Sequence, residues 1–170
     1  MVEFDVVDLP EADHVEEGET APDFERPLVD TELWRNRTLA DLTDDGPVLL
    51  VAHPMDGAFQ STYIWNEIRD RNWSDDVELI GIGISTPYEH KTLLEERGVD
   101  ARLFTDPSAE VLEEYGIAQD LDGMAGVTDA RPAVFLIDED RTVQYAWVGD
   151  EHPSFPEYDE VEDALDRHVR

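Results

Sequence analysis

The chain of 170 residues contains no cysteine. Without a thiol it forms no disulfide, offers no thiolate to a metal, and supplies no thiolate of its own to attack a peroxide. Lysine is almost absent too, Lys91 being the only one. With 12 Lys plus Arg against 43 Asp plus Glu, the formal charge is −31, the wrong sign for a nucleic-acid partner. No apolar run approaches the ~20 residues that span a bilayer. The start, Met1-Val2-Glu3-Phe4-Asp5, has neither the basic residues nor the apolar stretch of a signal peptide. A cytoplasmic location with no membrane partner is therefore the expectation. His14, His90, His152 and His168 are scattered without metal-ligand spacing, so no metal and no cofactor are expected.

Apolar residues make up 41% of the chain, enough for a globular core despite the charge. The length suits one domain over residues 1–170, with residues 1–16 as an N-terminal extension. The acids run throughout the chain rather than in one tail. An acidic surface with one lysine resembles proteins that work in multimolar salt, where a Debye length of roughly 3 Å or less screens the self-repulsion. The competing reading is an acidic protein with a basic partner.

The apolar pattern predicts an α/β order. Residues 2–7 alternate weakly as a strand, and residues 8–23 read as loop. A hairpin is predicted over residues 27–39 around Asp30-Thr31. Pro47 to Ala52 is a continuous apolar run, as in a strand covered on both faces. A helix follows over 59–73, with Ile64 and Ile68 at helical spacing, then a strand over 77–84. A helix over 88–97 stops at Gly98. A strand over 102–105 precedes a helix capped by Asp106, with Pro107 in its first turn, ending at Tyr115-Gly116. Strands over 133–138 and 142–148 form a hairpin through Glu139-Asp140-Arg141. An amphipathic helix over 157–169 closes the chain, with Val161, Ala164, Leu165 and His168 on one side. The first half implies a parallel βαβ unit, and the hairpin adds antiparallel strands.

Five pieces in this order resemble the peroxiredoxin family, the alkyl hydroperoxide reductase and thiol-specific antioxidant group, over roughly residues 17–168. They are Gly18-Glu19-Thr20-Ala21-Pro22-Asp23-Phe24; Leu39-Ala40-Asp41-Leu42 leading into the 47–51 strand; Leu79-Ile80-Gly81-Ile82-Gly83-Ile84-Ser85; Thr105-Asp106 with Val111 and Tyr115-Gly116-Ile117; and Arg131 to Asp138 with Val143 to Gly149. The resemblance implies a thioredoxin-like fold, a central mixed sheet flanked by helices. It also implies a homodimer.

The family's active-site motif is a proline, a threonine four residues later, and the peroxidatic cysteine three beyond. In His53-Pro54-Met55-Asp56-Gly57-Ala58-Phe59-Gln60-Ser61-Thr62, Pro54 matches, Ala58 takes the threonine position and Ser61 the cysteine position. Thr62 matches a frequent residue after the cysteine. Arg131 is the candidate for the family's arginine, offset by one residue, with Pro132 in its place. A proline there also resembles the cis-proline of thioredoxins, which predicts a cis bond at Pro132. Peroxidatic chemistry needs a thiolate at a helix N-terminus and a nearby cation. Serine cannot cycle through sulfenic acid.

The leading expectation is a peroxiredoxin-like protein, inactive as a thiol peroxidase, that keeps its pocket for an unidentified protein or small-molecule ligand. The alternatives are a peroxide oxidoreductase whose native cysteine was replaced, and an interaction module. A fourth reading, a hydrolase with Ser61 as nucleophile and His53 as base, needs a hydrogen bond between the two. The plainer role for Ser61 is to satisfy a backbone N–H at the helix start. His53 lines the pocket or replaces an aromatic residue. Asp120, Asp122 and Asp129 around Gly123 and Gly126 lack EF-hand spacing and read as a solvated loop. Tyr63, Trp65 and Trp73 belong to the core or an interface. Trp147, Pro153, Phe155 and Pro156 cover the site or anchor the last helix.

Overall fold

The computed structural model describes residues 6–120 and 124–170. Its centre is a seven-stranded mixed sheet. The strands are β1 (Glu25–Val29), β2 (Trp34–Thr38), β3 (Val48–Ala52), β4 (Glu78–Gly83), β5 (Arg102–Thr105), β6 (Ala133–Ile137) and β7 (Val143–Val148). Their order across the sheet is β7-β6-β3-β4-β5-β1-β2. β3, β4 and β5 run parallel, Leu50 pairing with Ile80 and Gly81 with Leu103; the other pairings are antiparallel. The helices are α1 (Leu39–Thr43), α2 (Phe59–Arg71), α3 (Pro87–Arg97), α4 (Glu110–Glu114) and α5 (Tyr158–His168). None is long and apolar enough to cross a membrane.

β3 is buried at every position because both of its faces are covered. Its side chains alternate between two cores, as the pleat requires. Val48, Leu50 and Ala52 face one core with Phe104, Leu112, Tyr115 and Phe135. Leu49 and Val51 face the other with Ile64, Trp65, Leu94 and Leu165. Gly81 of β4 lies under the Trp65 indole, and a Cβ there would collide with it and with Leu103. α3 carries both stop signals of its sequence. Thr86 and Glu89 form a capping box at its start, and Gly98 takes φ +62 at its end.

Several boundaries differ from the sequence reading. Of the strand expected over 2–7, residues 2–5 lie outside the described residues, and Val7–Asp8 pairs with Glu151–His152. α1 emerges after the first hairpin, capped by the reciprocal Thr38–Asp41 pair. The helix expected from Pro107 starts at Glu110, yet Asp106 still caps it, its Oδ2 accepting the Val111 and Leu112 N–H groups at 3.0 and 3.1 Å. The supposed solvated loop contains a short ladder, Ala118–Gln119 with Asp129–Ala130, and Asp129 is buried; Asp122 and Gly123 lie outside the described residues. His168 is exposed rather than on the buried side of α5. The cis bond falls at His152–Pro153, not at Pro132.

Candidate functional site

β3 ends at Ala52 and delivers the chain to the C-terminal edge of the parallel strands, where open α/β sheets place ligands. The segment from His53 to Ala58 then turns into α2, reversing at Gly57 with φ +91, a left-handed conformation suited to glycine. Side chains from neighbouring elements fasten this loop. Ser85 Oγ accepts the Asp56 N–H at 2.8 Å, and Asp129 Oδ1 accepts the Met55 N–H at 3.0 Å.

Ser61 lies in the first turn of α2 and is fully buried. Its hydroxyl donates to the Pro54 carbonyl at 2.5 Å. It therefore acts as a donor to the preceding loop, not as an acceptor for a helix N–H. His53 is also fully buried, and its Nδ1 meets the same Pro54 carbonyl at 2.9 Å. A carbonyl only accepts, so the neutral ring carries its proton on Nδ1. The hydrogen bond that a Ser61–His53 hydrolase needs is absent among the described residues, since both groups donate to Pro54.

The ring of His53 packs edge-on to Trp65 with centroids 5.4 Å apart, and a Cβ at Gly83 would fall 3.1 Å from it. It thus packs as an aromatic residue does, on Trp65 and against Gly83. Burial pushes its pKa down to about 4; the Asp56 carboxylate pulls the other way and His90 adds to the fall. Its Nε2 has no hydrogen-bond partner among the described residues.

Asp56 and His90 were not among the residues expected at the site. Asp56 Oδ2 lies 2.8 Å from His90 Nδ1, and Oδ1 lies 3.7 Å from His53 Nδ1. His90 is fully buried, and its Nε2 donates to the Phe104 carbonyl at 3.1 Å. The signal was present in the sequence: His90 sits one helical turn before Leu93 and Leu94, on the buried stripe of α3. Sequence spacing hid its meeting with His53, because α2 and β4 lie between them.

The remaining expected residues are spread around this centre. Pro54 is buried and supplies the shared carbonyl; Thr62 is half-buried on α2. Ala58 is the N-cap residue, and its methyl group leaves α2 without a side-chain cap. Arg131 is buried, and its Nη2 donates to the Pro10 carbonyl at 2.6 Å. No hydrogen bond or ion pair among the described residues joins it to Ser61, and desolvation lowers its pKa. Pro132 is buried at the entry to β6 and accepts the Gly149 N–H at 2.9 Å. The aromatic residues expected to cover the site or anchor the last helix go to different neighbours. Phe155 meets Tyr63 of α2 at 6.3 Å, whereas Trp147 packs on the core beneath α5.

No match emerges from the curated proteins. Among solved structures, peroxidoxin BcpB from Mycobacterium tuberculosis is 25% identical with a TM-score of 0.75, covering 92% of this chain and 99% of that one. A cysteine-to-serine mutant of peroxiredoxin 6 from Arenicola marina gives a TM-score of 0.76 at 19% identity, over 89% of this chain and 72% of that one. The reduced 2-Cys peroxiredoxin of Plasmodium vivax gives 0.69 at 20% identity, over 91% and 98%. The fold is thus thioredoxin-like, of peroxiredoxin type. Residues 18–146 match the AhpC/TSA family, and the chain belongs to that family.

Proposed function

We propose that this protein does not consume peroxide through a thiol and keeps the family's pocket for binding. The observation that carries this reading is Ser61: at the family's peroxidatic position stands a buried hydroxyl tied to Pro54, in a chain without cysteine. Beside it a groove of about 370 Å³ opens between α2 and α3, with Asp56, Gly57, Thr62, Tyr88 and Leu93 among its lining residues. Without a cysteine the chain has no thiol nucleophile, and this neighbouring groove is the concave surface that the reading assigns to binding.

The test is peroxide consumption with a thiol reductant, at low and at multimolar NaCl, for the native chain and Ser61→Cys side by side. The native chain is expected to be silent in both. Turnover by the native chain overturns the reading. Turnover by Ser61→Cys alone indicates that the surroundings still suit a thiolate and that only the sulfur was lost. Silence from both indicates that the burial of position 61, together with Ala58 and the engaged Arg131, leaves a thiol there unreactive.

A second reading, assembly into a homodimer, is favoured by an exposed aromatic cluster. Phe59, Tyr63 and Phe155 are 37%, 56% and 37% exposed, and their rings touch in series. Sedimentation of the native chain and Tyr63→Glu would show a dimer that the substitution weakens; a native monomer at every concentration removes this reading.

A further inference from the structure

We propose that His53, Asp56 and His90 form a binding site for a divalent transition-metal ion. This deepens the reading that the pocket serves binding, and rests on it by naming the ligand. One donor atom from each of the three residues lies within 4.8 Å of the others. They come from two elements, the β3–α2 loop and α3, so the ion would staple α3 to the loop.

The orientation of His90 carries most of the argument. Its Nε2–H is held by the Phe104 carbonyl, which leaves Nδ1, facing Asp56 Oδ2, as the nitrogen that can bind an ion. Nδ1 and the carboxylate oxygen stand 2.8 Å apart, a contact made favourable by a proton on Nδ1 or by an ion that takes that proton's place. A backbone carbonyl that fixes the far nitrogen is the usual support of a metal-bound imidazole. The Asp56 side chain is 7% exposed, and its Oδ1 accepts no hydrogen bond among the described residues. That oxygen is a buried lone pair aimed at His53.

His53 completes the set. Binding through Nδ1 moves its proton to Nε2, and the Pro54 carbonyl keeps Ser61 as its donor. Donors around a tetrahedral ion at ~2.05 Å stand about 3.3 Å apart. Asp56 reaches His90 through Oδ2 at 2.8 Å and His53 through Oδ1 at 3.7 Å, and the three donor atoms lie within 4.8 Å of one another, so the side chains draw together when the ion binds. The groove between α2 and α3 reaches Asp56, which gives an ion a path toward the site. Two imidazoles and one carboxylate suit zinc, cobalt or ferrous iron rather than calcium or magnesium.

The experiment titrates the native protein with Zn²⁺ in excess Mg²⁺, which occupies the surface acids, while imidazole ¹H–¹⁵N correlations are followed. The His53 and His90 ring signals are expected to shift together in one saturable step at one ion per chain. Asp56→Asn and His90→Ala should each weaken binding about tenfold or more. Zn²⁺ should raise the melting temperature of the native chain and leave that of Asp56→Asn unchanged. His168→Ala, on the exposed face of α5, should bind as the native chain does. Zinc uptake with unmoved His53 and His90 signals means surface binding only and overturns the proposal. So does equal affinity in Asp56→Asn. The ring signals are read on the native chain, so a poorly folded variant does not remove the test. Unmoved rings with native peroxide silence defeat the metal site alone, whereas native peroxide turnover defeats the reading beneath it.

Discussion

Ser61 and His53 converge on one acceptor, the Pro54 carbonyl, with the hydroxyl at 2.5 Å and Nδ1 at 2.9 Å. The carbonyl stays satisfied if either donor is lost, so the contact tolerates change at position 61. Ser61→Ala should cost only about 1 kcal/mol, the net worth of one intramolecular hydrogen bond. Ser61→Cys should fold as well, with a thiol that is poorly accessible, since the position is fully buried. A disulfide reagent that colours on reaction should modify it slowly in buffer and fast in denaturant. Equal rates in both would show that the position is open to solvent in the folded chain.

Asp106 joins three elements at a fully buried carboxylate. It caps α4 through two N–H groups and accepts from Arg26 Nε of β1 at 3.0 Å. Asp106→Ala would strand those donors and leave the Arg26 guanidinium, 26% exposed, without its buried partner. Breaking a buried pair costs roughly 3–5 kcal/mol. The lower end is expected here because Arg26 keeps contact with water. Chemical denaturation should show that loss, with Asp106→Asn recovering part of it through the surviving carbonyl oxygen. A loss below about 1 kcal/mol would mean that the cap is dispensable.

The buried strands were legible because their signal is local. Val48 to Ala52 and Ala133 to Ile137 are unbroken apolar runs, and both proved to be covered on each face. The ends of α3 are marked just as locally, by the Thr86–Glu89 capping box at its start and by Gly98 at its stop. The site was only half legible. The frame from His53 to Thr62 places Pro54 on the loop and Ser61 at the helix start, as in the structure. The partners that give the loop its chemistry, His90, Ser85 and Asp129, come from 29 to 74 residues away. Their meeting depends on the parallel register of β3 and β4, which no spacing rule encodes. Asp129 misled because its neighbours are glycine and acid, the composition of a solvated loop, whereas its carboxylate turns inward to the Met55 N–H.

Ala58 leaves the first turn of α2 without a side-chain acceptor, although its φ of −66° and ψ of 139° are those of an N-cap. Ala58→Thr supplies a hydroxyl at a half-buried position whose backbone already suits it. The expected gain is about 1 kcal/mol, which for a chain of this size raises the melting temperature by roughly 2–4 °C. A melting temperature that falls would mean that the added methyl and hydroxyl clash with the loop instead of capping the helix.

Alkaline pH should expose a different weakness. Tyr115 is 1% exposed, and its hydroxyl donates to the Pro22 carbonyl at 2.6 Å. Burial, then the charge of Glu114, raise its pKa above the usual 10. Tyr145 is pushed up to about 12, again first by burial. A phenol whose folded pKa exceeds its unfolded value contributes stability that is complete below the unfolded pKa. That contribution is lost as pH rises through 10 toward the folded value. Stability of the native chain should therefore hold to about pH 10 and then decline. Tyr115→Phe should start about 1 kcal/mol lower at pH 8, because the Pro22 carbonyl loses its donor. Above pH 10 its decline should be shallower, so that the two curves converge. Parallel curves across that range would place the alkaline loss on other groups.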